Sequence, residues 1–226
     1  FTPKISLKIS PNNNTEDLKD SESRLDVNNI FTLDRLSSSN TIEGGLSLTY
    51  GSDFLIFNKQ NSRDLFSLKF ANNLRLKNHD DLPNNNQLGA KTSNFFAETT
   101  FSPNKFLTTK YNISTKNNLY EVNYESLSAE ININNFVTTF DYMNENNNSE
   151  KNAYLLNKTS YKFDDNKSIS FSTRENKTVD LTEYYNIIYE YKNDCLVAGI
   201  EYNKQFYSDA DLKPEEKLFF SITIVP

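Results

Sequence analysis

Residues 185–202, YNIIYEYKNDCLVAGIEY, decide the fold. Tyr185, Ile187, Tyr189 and Tyr191 fall on one side of a two-residue repeat, with Asn186 and Glu190 on the other. Successive side chains point to opposite faces only in an extended strand, so this period marks a sheet with one apolar face. A polar break at Lys192, Asn193 and Asp194 gives way to a second run in which Leu196, Ala198, Ile200 and Tyr202 alternate in the same way. Two such runs joined by a few turn-forming residues read as an antiparallel hairpin.

The pattern extends in both directions. Ile5, Leu7 and Ile9 alternate with Ser6 and Lys8, Leu46, Leu48 and Tyr50 with Ser47 and Thr49, and Phe66, Leu68 and Phe70 with Ser67 and Lys69. Tyr120, Val122 and Tyr124 are set against Glu121, Asn123 and Glu125, and Ile169, Phe171 and Thr173 against Ser168, Ser170, Ser172 and Arg174. The last run carries Leu218, Phe220, Ile222 and Ile224. The expectation is an all-β chain of about a dozen strands, each of roughly 8 to 13 residues, in an antiparallel up-and-down meander. Several of these runs reach the roughly 9 to 11 residues that cross a bilayer at a tilt, longer than the usual soluble strand. Phe101, Tyr111, Tyr142, Tyr161, Tyr191 and Tyr202 are expected near strand ends, where aromatic girdles meet the two water-lipid interfaces. The fold class is therefore part of a large outer-membrane β-barrel, an open and curved sheet when taken alone. Residues 1–226 read as the C-terminal part of that barrel domain.

Composition narrows the alternatives. Mean hydropathy is -0.68, yet Leu, Ile, Val and Phe make up roughly a quarter of the chain, above the level expected of a disordered one. Half the residues of a barrel strand, and all of its links, can be polar, so low hydropathy is compatible with a membrane barrel. No apolar run approaches the roughly 18 residues of a membrane helix. The chain carries 24 basic and 30 acidic residues, a net charge of -6, with no basic cluster to meet nucleic acid. Its many Asn-x-Ser/Thr triplets, such as those at Asn112 and Asn157, follow from an Asn-rich composition. There is no Gly-rich phosphate loop, no Ser on a Gly elbow and no Cys/His metal spacing. Nothing in the sequence points to an enzyme, a metal or a cofactor.

Short links at 102–104, 164–166 and 192–194 alternate with longer ones at 72–91, 144–150, 174–180 and 208–216. Barrels of this class have short periplasmic turns and long external loops. If the last strand descends to a periplasmic C-terminus, every long link falls outside.

Two stretches resemble the LptD family of LPS-assembly proteins, also called organic solvent tolerance proteins. The first is 28–51, NNIFTLDRLSSSNTIEGGLSLTYG, in which Phe31, Arg35, Ile42, Glu43, Gly44, Gly45, Tyr50 and Gly51 match the family's signature while residues 37–41 depart from it. The second, 193–226, is similar to the family's last two strands around an acidic-Cys motif. The resemblance implies a laterally opening barrel that inserts lipopolysaccharide into the outer leaflet of a Gram-negative outer membrane. It further implies an LptE-like lipoprotein plug, a periplasmic LptA-like bridge reached through an N-terminal jellyroll domain, and surrounding outer-membrane lipid as partners. Neither that jellyroll nor the first barrel strands are found in this sequence. One side of the lateral gate would be the last strand, with Leu218, Phe219, Phe220, Ser221, Ile222, Thr223 and Ile224.

Each candidate residue also has a plainer reading. Cys195, the only cysteine, would by the resemblance form a disulfide to the periplasmic domain; its plainer reading is a buried, unpaired small residue. Glu121, Glu125, Glu190 and Glu201, with Lys204, are expected to line the lumen. His79, beside Asn78, Asp80 and Asp81, reads as part of a solvated loop rather than a cation site, and so do Asp209, Asp211, Glu215 and Glu216. The rival functions are a generic porin or receptor barrel, which shares the alternation but not the signature, and a soluble extracellular β-sandwich, which would bury the apolar stripes between two sheets.

Overall fold

The computed structural model describes residues 1–10, 17–19, 24–36, 43–60, 63–147, 150–206 and 214–224. Among them the chain forms β1 (Thr2–Ser10), β2 (Gly45–Asn58), β3 (Arg63–Arg75), β4 (Phe95–Asn104), β5 (Leu107–Thr115) and β6 (Val122–Ile133). There follow β7 (Phe136–Asn147), β8 (Glu150–Lys162), β9 (Lys167–Asn176), β10 (Leu181–Lys192), β11 (Leu196–Gln205) and β12 (Glu215–Ile224). No helix occurs among the described residues. The strands make one antiparallel meander whose spatial order is the chain order, as the alternation predicts. They run 9 to 14 residues, long enough to cross a bilayer at a tilt.

Several boundaries differ from expectation. Residues 102–104 belong to β4, and the turn falls at 105–106. β3 runs on to Arg75, leaving 76–94 as the long link, and β7 and β8 take up most of 144–150. Tyr120 lies outside any strand and is 92% exposed. Tyr111, Tyr142 and Tyr202 sit inside their strands rather than at the ends. Polar residues carry no period of their own, so Asn- and Ser-rich strand ends look like loops until a partner strand pairs with them.

The chain divides into two compact units. The first holds 1–102, 110–126 and 145–150, and the second 103–109, 127–144 and 151–226. In the first unit the register places Ile5, Leu7 and Ile9 opposite Tyr50, Leu48 and Leu46, and continues through Leu68 opposite Phe54 to Thr99. This face is apolar and turned outward: Ile5 is 75% and Ile9 70% exposed. On the opposite face lie Lys8, Ser47, Thr49, Asn73 and Arg75 in register, and of these Ser47, Thr49, Asn73 and Arg75 are buried. The normal sense of burial is thus inverted along these strands.

What covers the polar face is the two long links. Leu25, Val27, Ile30 and Leu36 from the first link and Leu82 and Leu88 from the second close over Ala71 and Phe96, which pair across β3 and β4. Backbone bonds knit the links together: the amide of Leu18 donates to the carbonyl of Asp81 at 2.7 Å, and that of Asn84 to Lys19 at 3.1 Å. The second link also reaches the sheet through the Leu74–Thr92 bridge.

In the second unit Tyr185, Ile187 and Tyr189 share a face with Phe171 and Ile169 on β9 and with Tyr202 and Ile200 on β11, and that face is open to the surroundings, Ile200 being 43% exposed. Leu218, Phe220, Ile222 and Ile224 continue it across β12. The other face carries Ser168, Ser170, Ser172, Asn186, Glu190 and Glu201. The expected dry interior of a sandwich, enclosing Tyr185, Ile187 and Ile200, is not what the described residues form.

Candidate functional site

The first unit contains a buried ionic knot. It begins with Arg35, in the first long link. Its Nε donates to Glu43 Oε2 at 2.7 Å, and Nη2 donates to the other carboxylate oxygen. The remaining hydrogens go to the Ile30 carbonyl at 3.3 Å, Thr49 Oγ1 at 3.1 Å and Ser47 Oγ at 3.2 Å. Glu43 also pairs with the Arg75 guanidinium and with Lys8 Nζ at 3.0 Å. Arg75 in turn donates through Nε to the Leu88 carbonyl at 2.7 Å and through Nη1 to the Gly44 carbonyl at 3.0 Å.

The side chains of Arg35, Arg75 and Glu43 are 1–2% exposed. Charges so far from water persist only where paired and saturated with hydrogen bonds. The guanidinium fork fits a carboxylate along both oxygens. Burial lowers the Arg35 guanidinium to about 10, so it stays cationic at neutral pH. The knot thereby ties β1, the two long links, β2 and β3 through one carboxylate.

Of the signature residues named from the sequence, Arg35, Glu43 and Gly44 form the knot itself, and Phe31, Gly45 and Gly51 lie around it. Asn29 holds the turn before the knot, its amide donating to the Arg24 carbonyl at 2.9 Å while its side-chain oxygen accepts from the Asp26 amide. Phe31 packs against the apolar cluster, with Lys4 Nζ 5.8 Å from its ring centre. Gly44 supplies its carbonyl to Arg75. Gly45 has φ +89° and lies under His79, whose Nε2 would be 2.5 Å from an added Cβ. Gly51 faces Ala71 across β2 and β3, where a Cβ would strike the Phe70 carbonyl. Tyr50 points the other way, among the apolar residues opposite Ile5. Ile42 lies outside the described residues.

The remaining candidates scatter. Glu121 stands in the turn before β6, exposed and paired with Lys116, so it is not a strand residue. Glu125 accepts from Tyr111 Oη at 3.0 Å. Tyr111 alternates with Lys110, which reaches Glu98 on the polar face at 2.9 Å; Glu125 therefore shares the apolar side, opposite to the lumen-facing position expected of it. Glu190 and Glu201 do occupy the polar face of the second unit, Glu201 accepting from Asn186 Nδ2 at 2.9 Å. Lys204 pairs with Glu216 on the apolar side. Cys195 is an exposed free thiol in the turn before β11. His79 is half-buried over Gly45 rather than solvated, with Nδ1 3.9 Å from Asp81. Asp209 and Asp211 lie outside the described residues; Glu215 and Glu216 open β12.

Sequence reasoning missed Arg75, Asn73, Lys8 and the Leu88 carbonyl. Lys8 and Arg75 each fall on the polar side of an alternating strand, which was legible, but their convergence on Glu43 depends on how the links fold back and has no periodic signal.

A second feature of the first unit is a cavity of about 140 Å³ beneath residues 24–28, lined by Phe96, Glu98, Lys110, Asn112, Ser114 and Tyr124 among others. Glu98 is held there by Lys69 at 2.8 Å and Lys110 at 2.9 Å.

Comparison with curated proteins gives no match. The family model LptD, described as LPS transport system D, matches residues 1–174, which contain the whole knot and its signature. That match takes in most of the chain, and the chain belongs to the LptD family.

Proposed function

We propose that this chain is the C-terminal part of an outer-membrane barrel that inserts lipopolysaccharide into the outer leaflet through a lateral opening, with β12 as one side of the gate. LPS transport is the family-level function, a matter of moving a lipid rather than of bond chemistry. The observation that carries the reading is inverted burial: Ile5, Leu7 and Ile9 are exposed while Ser47, Thr49 and Asn73 on the opposite face are buried. Water would penalise the first set, whereas hydrocarbon tails would not. An amphiphile with acyl chains and a sugar head needs both surfaces, and a seam by which its chains leave a polar lumen sideways.

β12 suits such a seam. Leu218, Phe220, Ile222 and Ile224 carry the apolar face of β11 onward while Ser221 lies on the polar face, so acyl chains and head group would each meet a matching side. An LptE-like plug and an LptA-like bridge through a periplasmic jellyroll belong to the same proposal, and so does a disulfide from Cys195 to that domain. The exposure of Cys195 in a short turn makes such a bond sterically accessible.

The test uses the complete protein in cells. With a photo-reactive residue in place of Ile222, irradiation is expected to yield adducts with lipopolysaccharide, and depletion of the protein is expected to stop newly made lipopolysaccharide from reaching the surface. Surface delivery that continues after depletion, with small-solute uptake lost instead, would assign the chain to a diffusion channel.

A further inference from the structure

The links of the first unit are fastened unequally. Around Arg35 everything is buried, but Arg24, eleven positions earlier in the same link, is held from outside. Its guanidinium carbon lies 3.8 Å from the ring centre of Tyr124, and Nη2 is 3.0 Å from Glu145. The Arg24 side chain is 43% exposed, against 2% for Arg35. Exposed ion pairs contribute little, and an exposed cation over a ring only slightly more. Arg24 can therefore leave Tyr124 while the knot stays shut.

Behind Arg24 is the cavity floored by Tyr124. At about 140 Å³ it is close to the roughly 150 Å³ cavity that takes up benzene, and a pyranose with its hydroxyls would need the further room that opens when Arg24 leaves Tyr124. Its wall mixes polar groups: Asn112 Nδ2 already donates to Ser126 Oγ at 3.1 Å and Ser114 Oγ accepts from Asn94 Nδ2 at 3.0 Å, which leaves the Asn112 carbonyl oxygen to accept and the Ser114 hydroxyl to donate, beside the ammonium of Lys110 and the carboxylate of Glu98. Lys69 and Lys110 share Glu98, and Arg24 pairs with Glu145; with Asp26 also in the wall three carboxylates stand against three cations, so no net positive charge waits for a phosphate. An aromatic face fringed by polar groups whose charges cancel is instead the chemistry that holds the C–H face and hydroxyls of a pyranose.

We propose that Arg24 is a displaceable cap over a subsite for a single sugar ring, seated on Tyr124 and fringed by Asn112 and Ser114. The proposal rests on the transport reading above, and names where the saccharide part of the cargo is handled. The sugar ring takes the place of the guanidinium on Tyr124, and Arg24 returns when the ring moves on.

The experiment places a photo-reactive residue at Asn112 in the complete protein, in cells making either full-length lipopolysaccharide or lipid A without core sugars, with the Ile222 position as reference. Expected are adducts at Asn112 that fall at least severalfold when the core sugars are missing and only the acylated glucosamines of lipid A remain, while Ile222 adducts persist. Arg24→Ala, or Glu145→Gln where Arg24→Ala fails to assemble, should raise the Asn112 adducts severalfold. Tyr124→Ala should abolish them and Tyr124→Phe should retain them, with assembly checked by heat-modifiable mobility. Adducts at Ile222 but none at Asn112, or Asn112 adducts indifferent to the sugars or to Arg24, overturn the cap and leave the transport reading standing. Absence of adducts at both positions overturns both.

Discussion

Glu43 is the residue on which most depends. It faces two guanidiniums and one ammonium in a site from which water is excluded. Replacing it by Gln keeps the shape but removes the only carboxylate among the described residues in direct contact with Arg35 and Arg75, leaving buried charge uncompensated. Breaking a buried pair in this way costs about 3–5 kcal/mol, so Glu43→Gln should lower unfolding stability by that order in detergent, read by urea titration of heat-modifiable mobility. A loss below about 1 kcal/mol, the value of an exposed pair, would show the knot to be solvated. Gly45 makes a separate demand. Its φ of +89° and the overlying His79 ring leave no room for a side chain, and Gly45→Ala should cost about 1–2 kcal/mol for the left-handed backbone alone. His79→Ala would relieve the clash but not the backbone term, so the double substitution measured beside each single one separates the two causes.

Strands and links divide the labour in an uncommon way. The strands turn their apolar residues outward, while the apolar cluster of the first unit is assembled largely from residues of its two long links. On β12, Ser221 and Ile222 are neighbours in sequence but lie on opposite faces. If the apolar face meets lipid, Ile222→Lys should cost about 2–4 kcal/mol near mid-membrane, while Ser221→Lys, on the polar face, should be close to neutral. Folding titrations into vesicles would check the difference, and equal costs would remove the lipid-facing assignment. These strands were legible in the sequence because their period is local: each of Tyr185, Ile187 and Tyr189 reports its face without reference to any other strand. Glu125 shows the limit of that signal. Its run, from Tyr120 to Glu125, is polar on one side and aromatic on the other, and the sequence alone suggests that the aromatic side meets lipid. Arg24 reaches across from a distant link to stack on Tyr124 and places that ring on the polar face.

At the scale of the molecule, the meander order and the family were both readable from alternation and from one signature. The role of that signature was not. Arg35, Glu43, Gly44 and Gly45 are close in sequence, but their partners Lys8, Asn73, Arg75 and Leu88 come from elsewhere in the chain. A knot of this kind is held by long-range pairing, which leaves no periodic trace. The candidate saccharide subsite was illegible for the same reason: Arg24, Asn112 and Tyr124 are brought together only by the way a link lies down on the sheet.

The inward folding of those links also decides what an immune system or a phage could see. A serum raised against a peptide spanning residues 24–36 would meet Leu25 and Ile30 tucked away, at 2% and 1% exposed, and should recognise the denatured protein far better than the native one. The tip at Leu119 and Tyr120, at 63% and 92% exposed, offers the more accessible epitope.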